Sequence, residues 1–307
     1  MARISKDDAK MHRTASALVA QRRDLTGEER ELVLEHWQES SSITNGLDGA
    51  FFTPEDLASD FRLEVGGERV LDLCAGIGAL AYHVWMAGEM DRRHENRAPR
   101  EIVCVEKNPA YVEVGRKILP EARWICGDVF DLPPDLGDFD TVIGNPPFGH
   151  AERTGDGPRY TGRRFEYHVI DAAASLARRG VFIIPQGSAP FEYSGARQRG
   201  WRARPYSTQE QARTMAPMSQ SYERFVRETG IELDLGIGID TGSAADQWRG
   251  TTYRLLTEVV RSDFEESGHY RPGIPPRRAA IKPRPVPVPA PQVQPEDVHD
   301  FADGRLF

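Results

Sequence analysis

The chain has 307 residues, of which 39% are hydrophobic and 28% are charged, and its formal net charge at pH 7 is -8. This length can bury a large core, and the negative charge argues against indiscriminate binding to polyanions. The sequence shows neither a secretory leader nor the roughly 20 consecutive apolar residues of a membrane span, so we expect a cytoplasmic protein with no membrane partner. The three cysteines have no metal-ligand spacing, and we predict no metal site.

The first 48 residues predict a helical N-terminal extension. In "TGEERELVLEHW", Thr26 and Glu29 have capping-box spacing ahead of apolar residues at helical intervals. Residues 49–265 alternate short apolar runs with helical segments, which predicts one α/β domain. Residues 266–307 are rich in proline and predict a disordered tail.

The domain is expected to be Rossmann-like, with a mostly parallel sheet and helices on both faces, because its strands are apolar nearly throughout. We predict helices at 79–88, 108–118 and 165–179, and a small insertion at 186–230 that could contact a substrate. The predicted strands lie at 69–75, 101–106, 122–126, 140–144, 180–185, 231–239 and 251–261. The last two lack a helix between them, so we expect seven strands with an antiparallel finish.

Three of these strands end in residues suited to binding a nucleotide-like cofactor. "VLDLCAGIGALA" runs from a strand through Gly76 and Gly78 into a helix, which lets a ligand approach the backbone closely. Alone this pattern is weak, because a dinucleotide site looks similar. Glu106 ends the second strand, where a carboxylate can bind ribose hydroxyls, and Asp128 follows the third, where it can bind an adenine amino group.

The fourth strand ends in "NPPF", residues Asn145 to Phe148. An exocyclic base amino group is a poor nucleophile, since its lone pair is delocalised into the ring. The Asn145 amide oxygen and the Pro146 carbonyl, held rigid by Pro147, can accept its N–H bonds and favour a pyramidal nitrogen. Phe148 offers a face on which a flat base can stack. Read without these neighbours, the same residues are a plain strand terminator.

The order "DLCAGIG", Glu106, "GDVF" and "NPPF" resembles the class I S-adenosylmethionine-dependent methyltransferases of the amino-methylating branch, over about residues 50 to 185. "GAFFTPEDLASDF" is further similar to the segment that precedes the cofactor loop in N6-adenine DNA methyltransferases of the gamma subgroup. The resemblance implies catalytic roles for Asn145, Pro146, Pro147 and Phe148. It also implies S-adenosylmethionine contacts from Phe52, Thr53, Pro54, Asp72, Ala75, Gly76, Gly78, Glu106, Asp128 and Val129.

The long target-recognition domain usual in that subgroup is missing, because only residues 186–230 intervene before the last strands. Two segments, 150–165 and 193–207, combine arginines with aromatic residues, which suits phosphate contact and stacking beside a flipped base. We therefore expect DNA-binding residues at Arg159, Arg163, Arg164, Arg197, Arg199 and Trp201.

Several alternatives stay open on the sequence alone. NPPF also occurs in RNA methyltransferases acting on adenine N6 or guanine N2, so RNA is the second candidate substrate. A protein-glutamine methyltransferase and a catalytically silent binding subunit are further alternatives. The C-terminal Leu306 and Phe307 weakly resemble the end of a sliding-clamp-binding peptide, which makes the clamp a candidate partner.

Overall fold

The computed structural model describes residues 6–37, 52–95, 98–133, 136–148, 153–195, 219–248, 254–272 and 280–281. The N-terminal extension contains α1 (Lys6–Val19) and α2 (Gly27–His36). The predicted capping box is confirmed, because Thr26 Oγ1 accepts the Glu29 N–H and the Thr26 N–H donates to the Glu29 carboxylate.

Thirteen further helices and strands follow along the described chain. They are α3 (Glu55–Phe61), β1 (Arg69–Leu73), α4 (Ala79–Glu95), β2 (Glu101–Glu106), α5 (Pro109–Ile118), β3 (Arg123–Cys126), β4 (Phe139–Gly144), β5 (Gly155–Asp156), α6 (Phe165–Ala173), β6 (Ala177–Pro185), α7 (Gln220–Thr229), β7 (Thr257–Asp263) and the two-residue β8 (Ala280–Ile281). Single turns of 3₁₀ helix lie at Arg62–Glu64, Gln186–Ser188 and Thr241–Ser243.

The main sheet has the strand order β3-β2-β1-β4-β6-β7. All neighbours are parallel except β6 and β7, which pair antiparallel from Arg179 opposite Asp263 to Pro185 opposite Thr257. The chain order reverses between β1 and β4, and ligands of doubly wound sheets bind at such a switch point, beyond the carboxyl ends of the strands. The predicted Rossmann-like α/β fold is confirmed.

The number of strands differs from the prediction. The sheet has six strands instead of seven, because residues 231–239 contribute only an isolated bridge between Asp234 and Arg261. Gly236 and Gly238 adopt φ angles of +61° and +80°, and the Asp234 carboxylate accepts the Gly236 N–H, so the chain turns where the apolar pattern predicted a strand. The predicted helix at 165–179 also ends early, since β6 begins at Ala177.

Two hydrophobic clusters cover the two faces of the sheet. Alternate residues of β1 and β2 face opposite sides: Leu71 and Val103 belong to one cluster, and Val70 and Ile102 to the other. Helices α6 and α7 complete the first cluster, whereas α1 to α5 complete the second. Burial on both faces explains the nearly continuous apolar character of these strands.

The described chain continues past the predicted domain boundary at residue 265. Tyr270 is buried and its N–H donates to the Phe264 carbonyl, while β8 pairs antiparallel with β5. Residues 273–279 and 282–307 of the predicted tail, including Leu306 and Phe307, lie outside the described residues. No helix within the described ranges is long and apolar enough to cross a membrane.

Candidate active site

A cavity of about 390 Å³ lies at the carboxyl edge of the first four strands. This volume falls within the usual range of cofactor sites, which is roughly 300 to 1,000 Å³. The lining residues are Phe52, Cys74, Gly76, Val105, Glu106, Lys107, Asn108, Tyr111, Gly127, Asp128, Val129, Phe130, Asn145, Pro147, Arg153, Thr154 and Phe165. Five of the ten residues predicted for cofactor binding therefore line this cavity, together with Asn145 and Pro147 of the four predicted catalytic residues, whereas Pro146 and Phe148 do not.

The turn after β1 is held in left-handed backbone geometry. Cys74, Gly76 and Gly78 have φ angles of +62°, +57° and +94°. A side chain at Gly78 would be strained and would also meet the Trp124 ring at 3.1 Å. Glycine at position 78 therefore leaves room for the Trp124 ring of β3.

Glu106 fastens this turn to β2. Its Oε2 accepts the Gly76 N–H at 2.8 Å, and its Oε1 accepts the Asn108 N–H at 2.7 Å. Burial raises the pKa of Glu106, and these backbone hydrogen bonds oppose the rise. A carboxylate has about four lone-pair sites, so Glu106 can hold the turn and still accept ligand hydroxyls.

Asp128 stands on the neighbouring side of the cavity. Its Oδ1 accepts the Phe130 N–H at 3.0 Å, and its Oδ2 accepts the Thr154 hydroxyl and lies 3.3 Å from Lys107 Nζ. Lys107 is therefore paired with Asp128 and not with Glu106. Because Thr154 belongs to the loop beyond β4, Asp128 ties the third strand to that loop.

Asn145 joins NPPF to the "FFTP" segment. Its Nδ2 donates to Thr53 Oγ1 at 3.0 Å, across 92 residues of sequence. This bond orients the amide, whose Oδ1 is buried and carries the acceptor lone pairs. Gly144 comes directly before Asn145. A Cβ at Gly144 would lie 2.6 Å from the Leu73 carbonyl oxygen, so the neighbouring strand β1 leaves no room for a side chain there.

The prolines and Phe148 continue from this point. Pro146 is buried, whereas Pro147 and Phe148 are partly exposed. The Phe148 ring lies edge-on to Trp248, with 5.9 Å between ring centroids. Trp248 was not predicted to belong to the site, because nothing in its local sequence indicates proximity to NPPF.

A cluster of three aromatic rings backs the cavity wall formed by Phe52 and Tyr111. Phe52 and Tyr111 line the cavity with centroids 5.2 Å apart, and Trp37, just after α2, lies 5.9 Å from Phe52 and 6.0 Å from Tyr111. The extension is also held by Lys117 Nζ, which donates to the Gln21 carbonyl at 2.6 Å. The N-terminal helices therefore support the cavity wall from behind.

Residues 153–164 form the loop beyond β4, and buried polar side chains fix it. The ring of His168 accepts the Gly157 N–H and contacts the Gly162 carbonyl, each at 2.9 Å. Asp171, one turn along α6, accepts the N–H groups of Arg159 and Tyr160 at 2.6 and 2.8 Å. The loop thus keeps Arg153 and Thr154 at the cavity.

Predicted DNA-binding residues have different environments. Arg159 donates through Nε to buried Asp171 at 2.7 Å and contacts His269, so it serves as an internal anchor and we leave it out of the proposed interface. Arg163 is exposed and Arg164 is half-exposed. Arg197, Arg199 and Trp201 lie outside the described residues.

Some predicted cofactor residues lie behind the cavity and do not line it. These are Thr53, Pro54, Asp72, Ala75 and Gly78. Pro54 caps α3, and Thr53 contacts Asn145. Asp72 is fully buried, which raises its pKa well above the usual range, while the Ala81 N–H opposes this rise. Thr53 therefore acts on the cavity through Asn145.

The cavity also contains residues that were not predicted. Lys107, Asn108 and Tyr111 come from the β2–α5 junction, and Arg153 and Thr154 from the loop beyond β4. The Asn108-Pro109 pair is a recognisable helix start, since Asn108 Oδ1 accepts the Ala110 N–H at 3.0 Å. Arg153 and Thr154 have no such local signal.

No protein-family model matches the sequence, and no curated protein does. Among solved structures, the chain is similar to a candidate RNA methyltransferase from Pyrococcus horikoshii, with 17% identity, coverage of 78% of this chain and 97% of that one, and a TM-score of 0.42. It is also similar to a modification subunit of a candidate type I restriction enzyme from Vibrio vulnificus, with 14% identity, coverage of 78% and 50%, and a TM-score of 0.47. A third is the tRNA (uracil-54, C5)-methyltransferase of Pyrococcus abyssi in complex with S-adenosyl-L-homocysteine, with 12% identity, coverage of 67% and 37%, and a TM-score of 0.36.

Proposed function

We propose that the protein is an S-adenosylmethionine-dependent methyltransferase acting on an exocyclic amino group of a nucleobase, most specifically N6 of adenine in DNA. One observation carries the proposal: Asn145 of NPPF lines the same cavity as Gly76, Glu106 and Asp128. Its amide is oriented by Thr53, which belongs to the second motif of the resemblance. Two motifs far apart in sequence thus meet at one side chain.

The residues of the cavity suit this cofactor. Glu106 and Asp128 provide acceptors for ribose hydroxyls and for an adenine amino group, and Val129 and Phe130 provide apolar surface for the adenine ring. The turn at Gly76 allows close approach of a polar chain to the backbone. Bound there, S-adenosylmethionine supplies an electrophilic methyl group.

Asn145 and its neighbours are suited to an amino-bearing planar target. The buried Asn145 Oδ1 and the Pro146 carbonyl would accept the two N–H bonds of the target amine. That arrangement favours a pyramidal nitrogen, whose lone pair is no longer delocalised into the ring and can attack the methyl group. This is electrostatic preorganisation without a general base. Phe148, braced by Trp248, offers a stacking surface for a flipped base.

The test is incubation of the protein with tritiated S-adenosylmethionine and, separately, duplex DNA, single-stranded DNA or total RNA, followed by nucleoside analysis. We expect label in N6-methyldeoxyadenosine. Label in RNA alone would overturn the assignment to DNA, and label in neither nucleic acid would overturn the proposed reaction.

Asn145→Ala is the matched variant. We expect it to lower methyl transfer at least about 100-fold, as removal of one preorganised polar group does in other enzymes. Binding of S-adenosylhomocysteine, measured by calorimetry, is expected to persist, because Glu106 and Asp128 are untouched. Full transfer activity in this variant would refute the role of the NPPF amide.

A further inference from the structure

A second cavity, of about 750 Å³, lies beside the loop 153–164 and α7. The loop contributes Arg163 and Arg164, and α7 contributes Arg224 and Arg227. We call this set of four residues the arginine groove. Its other lining residues are Tyr160, Gly162, Gln220, Ser221 and Glu223, so the lining itself contains four arginines and one acidic residue.

The four arginines differ in how far they are engaged by the protein. Arg224 Nε donates to Glu228 at 2.7 Å, and Arg164 lies 4.0 Å from buried Glu166. Arg163 and Arg227 are exposed, and within the described ranges neither forms an ion pair. Two guanidinium groups on one cavity are therefore exposed and without an ion pair among the described residues.

The groove adjoins the candidate active site along the loop, where Arg164 lines the groove and the next residue, Phe165, lines the first cavity. Arg153 lines the first cavity, and its guanidinium donates to the carbonyls of Gly162 at 3.3 Å and Arg163 at 3.4 Å. Both ends of the loop are thus in contact. Thr161 is fixed as well, because its N–H donates to Glu228 of α7 at 2.8 Å. The distance between the two cavities is consequently set by a fastened loop.

We propose that the arginine groove binds backbone phosphates of DNA next to the base held at Asn145. The proposal rests on the proposed function. Guanidinium groups bind phosphate through parallel N–H bonds, and phosphate contacts position a protein on a polynucleotide without reading its sequence. The whole chain has a formal net charge of -8, so its surface as a whole does not attract a polyanion. The local excess of arginine would attract DNA to the groove, beside the candidate active site.

The test is fluorescence anisotropy with labelled duplex DNA and S-adenosylhomocysteine at several salt concentrations. The variant is Arg163→Gln with Arg227→Gln. Its control, Arg116→Gln with Arg123→Gln, removes two exposed arginines from α5 and β3. We expect the groove variant to raise the Kd about 10-fold or more and to lower the salt slope by about 1 to 2, whereas the control stays within about twofold.

Equal effects of the two double variants, or no effect of the groove variant in a protein that keeps its melting temperature, would overturn the proposal. A parallel titration with RNA of the same sequence tests the commitment to DNA, which fails if the groove variant weakens RNA binding alone. The two proposals are read separately, since this experiment measures binding and tritium transfer measures chemistry. Transfer to DNA by a groove variant with unchanged affinity would leave the proposed function standing.

Discussion

The cavity wall after the first three strands stands on the ends of the parallel sheet, whereas the region beyond β4 and β6 consists largely of loops fixed by buried side chains. On the first side, Glu106 at the end of β2 accepts the N–H groups of Gly76, in the left-handed turn after β1, and of Asn108. On the second side, His168 and Asp171 of α6 and Glu258 of β7 fix loops that have no regular hydrogen-bond ladder. Buried carboxylates therefore act on both sides, but the loops of the second side lie outside the main sheet.

The largest expected effect concerns Asp171. Asp171→Ala removes the acceptor of two backbone N–H groups and leaves the Arg159 guanidinium without its buried counterion. Breaking a buried ion pair on one side costs about 3 to 5 kcal/mol. We expect the free energy of unfolding, measured in urea, to fall by that amount. Base methylation should fall more than cofactor binding, because Arg153 and Thr154 lose their support.

Asp156→Asn is the control on the same loop. Its ion pair with Arg153 is partly exposed, so the free energy of unfolding should fall by about 1 kcal/mol or less. If Asp171→Ala behaved like this control, the loop would be held by something other than the buried carboxylate.

The second prediction is pH-dependent stability from Glu258. Its carboxylate accepts the N–H groups of Tyr193 and Ser194, the Ser194 hydroxyl and the Gln186 amide, at 2.6 to 3.0 Å. Burial raises its pKa from 4.5 to about 7, against these hydrogen bonds. Between those pH values the unfolded chain binds fewer protons than the folded one, so the free energy of unfolding falls as pH rises.

Glu258→Gln should remove this slope. Between pH 5 and 8 the wild type is expected to lose on the order of 3 kcal/mol relative to the variant, since each unit of pKa corresponds to about 1.4 kcal/mol. Urea titrations at both pH values measure the difference. Glu265→Gln, at an exposed pair with Arg178, is the control and should show no comparable change. A parallel pH response of wild type and Glu258→Gln would contradict the assignment.

The same contrast explains what the sequence could predict. Strands β1 to β4, the glycine turn and the strand-end acids were predictable, because each depends on neighbouring residues and on apolar runs buried on both faces. The strand expected at 231–239 was wrong, since Gly236 and Gly238 turn the chain in spite of its apolar pattern. Trp248, Thr154 and the α7 arginines could not be found, because only tertiary packing brings them to the cavities.

The smallest expected effect lies on the side that stands on the sheet and concerns Trp37. Its ring packs edge-on against Phe52 and Tyr111, and such aromatic pairs are worth about 0.5 to 1.5 kcal/mol each beyond the area they bury. Trp37→Ala should therefore raise the Kd of S-adenosylhomocysteine about 10-fold, a change of about 1.4 kcal/mol, with Trp37→Phe closer to wild type. Calorimetric titration measures each Kd.

Trp85→Ala separates this local effect from loss of N-terminal docking. Trp85 also contacts the extension, through Arg30 at 5.9 Å from the ring centroid, but it does not reach the Phe52 and Tyr111 pair. If Trp85→Ala weakened cofactor binding as much as Trp37→Ala, the N-terminal helices would act through general stability. An effect confined to Trp37 would instead mean that a side chain from outside the sheet completes the wall of the cavity.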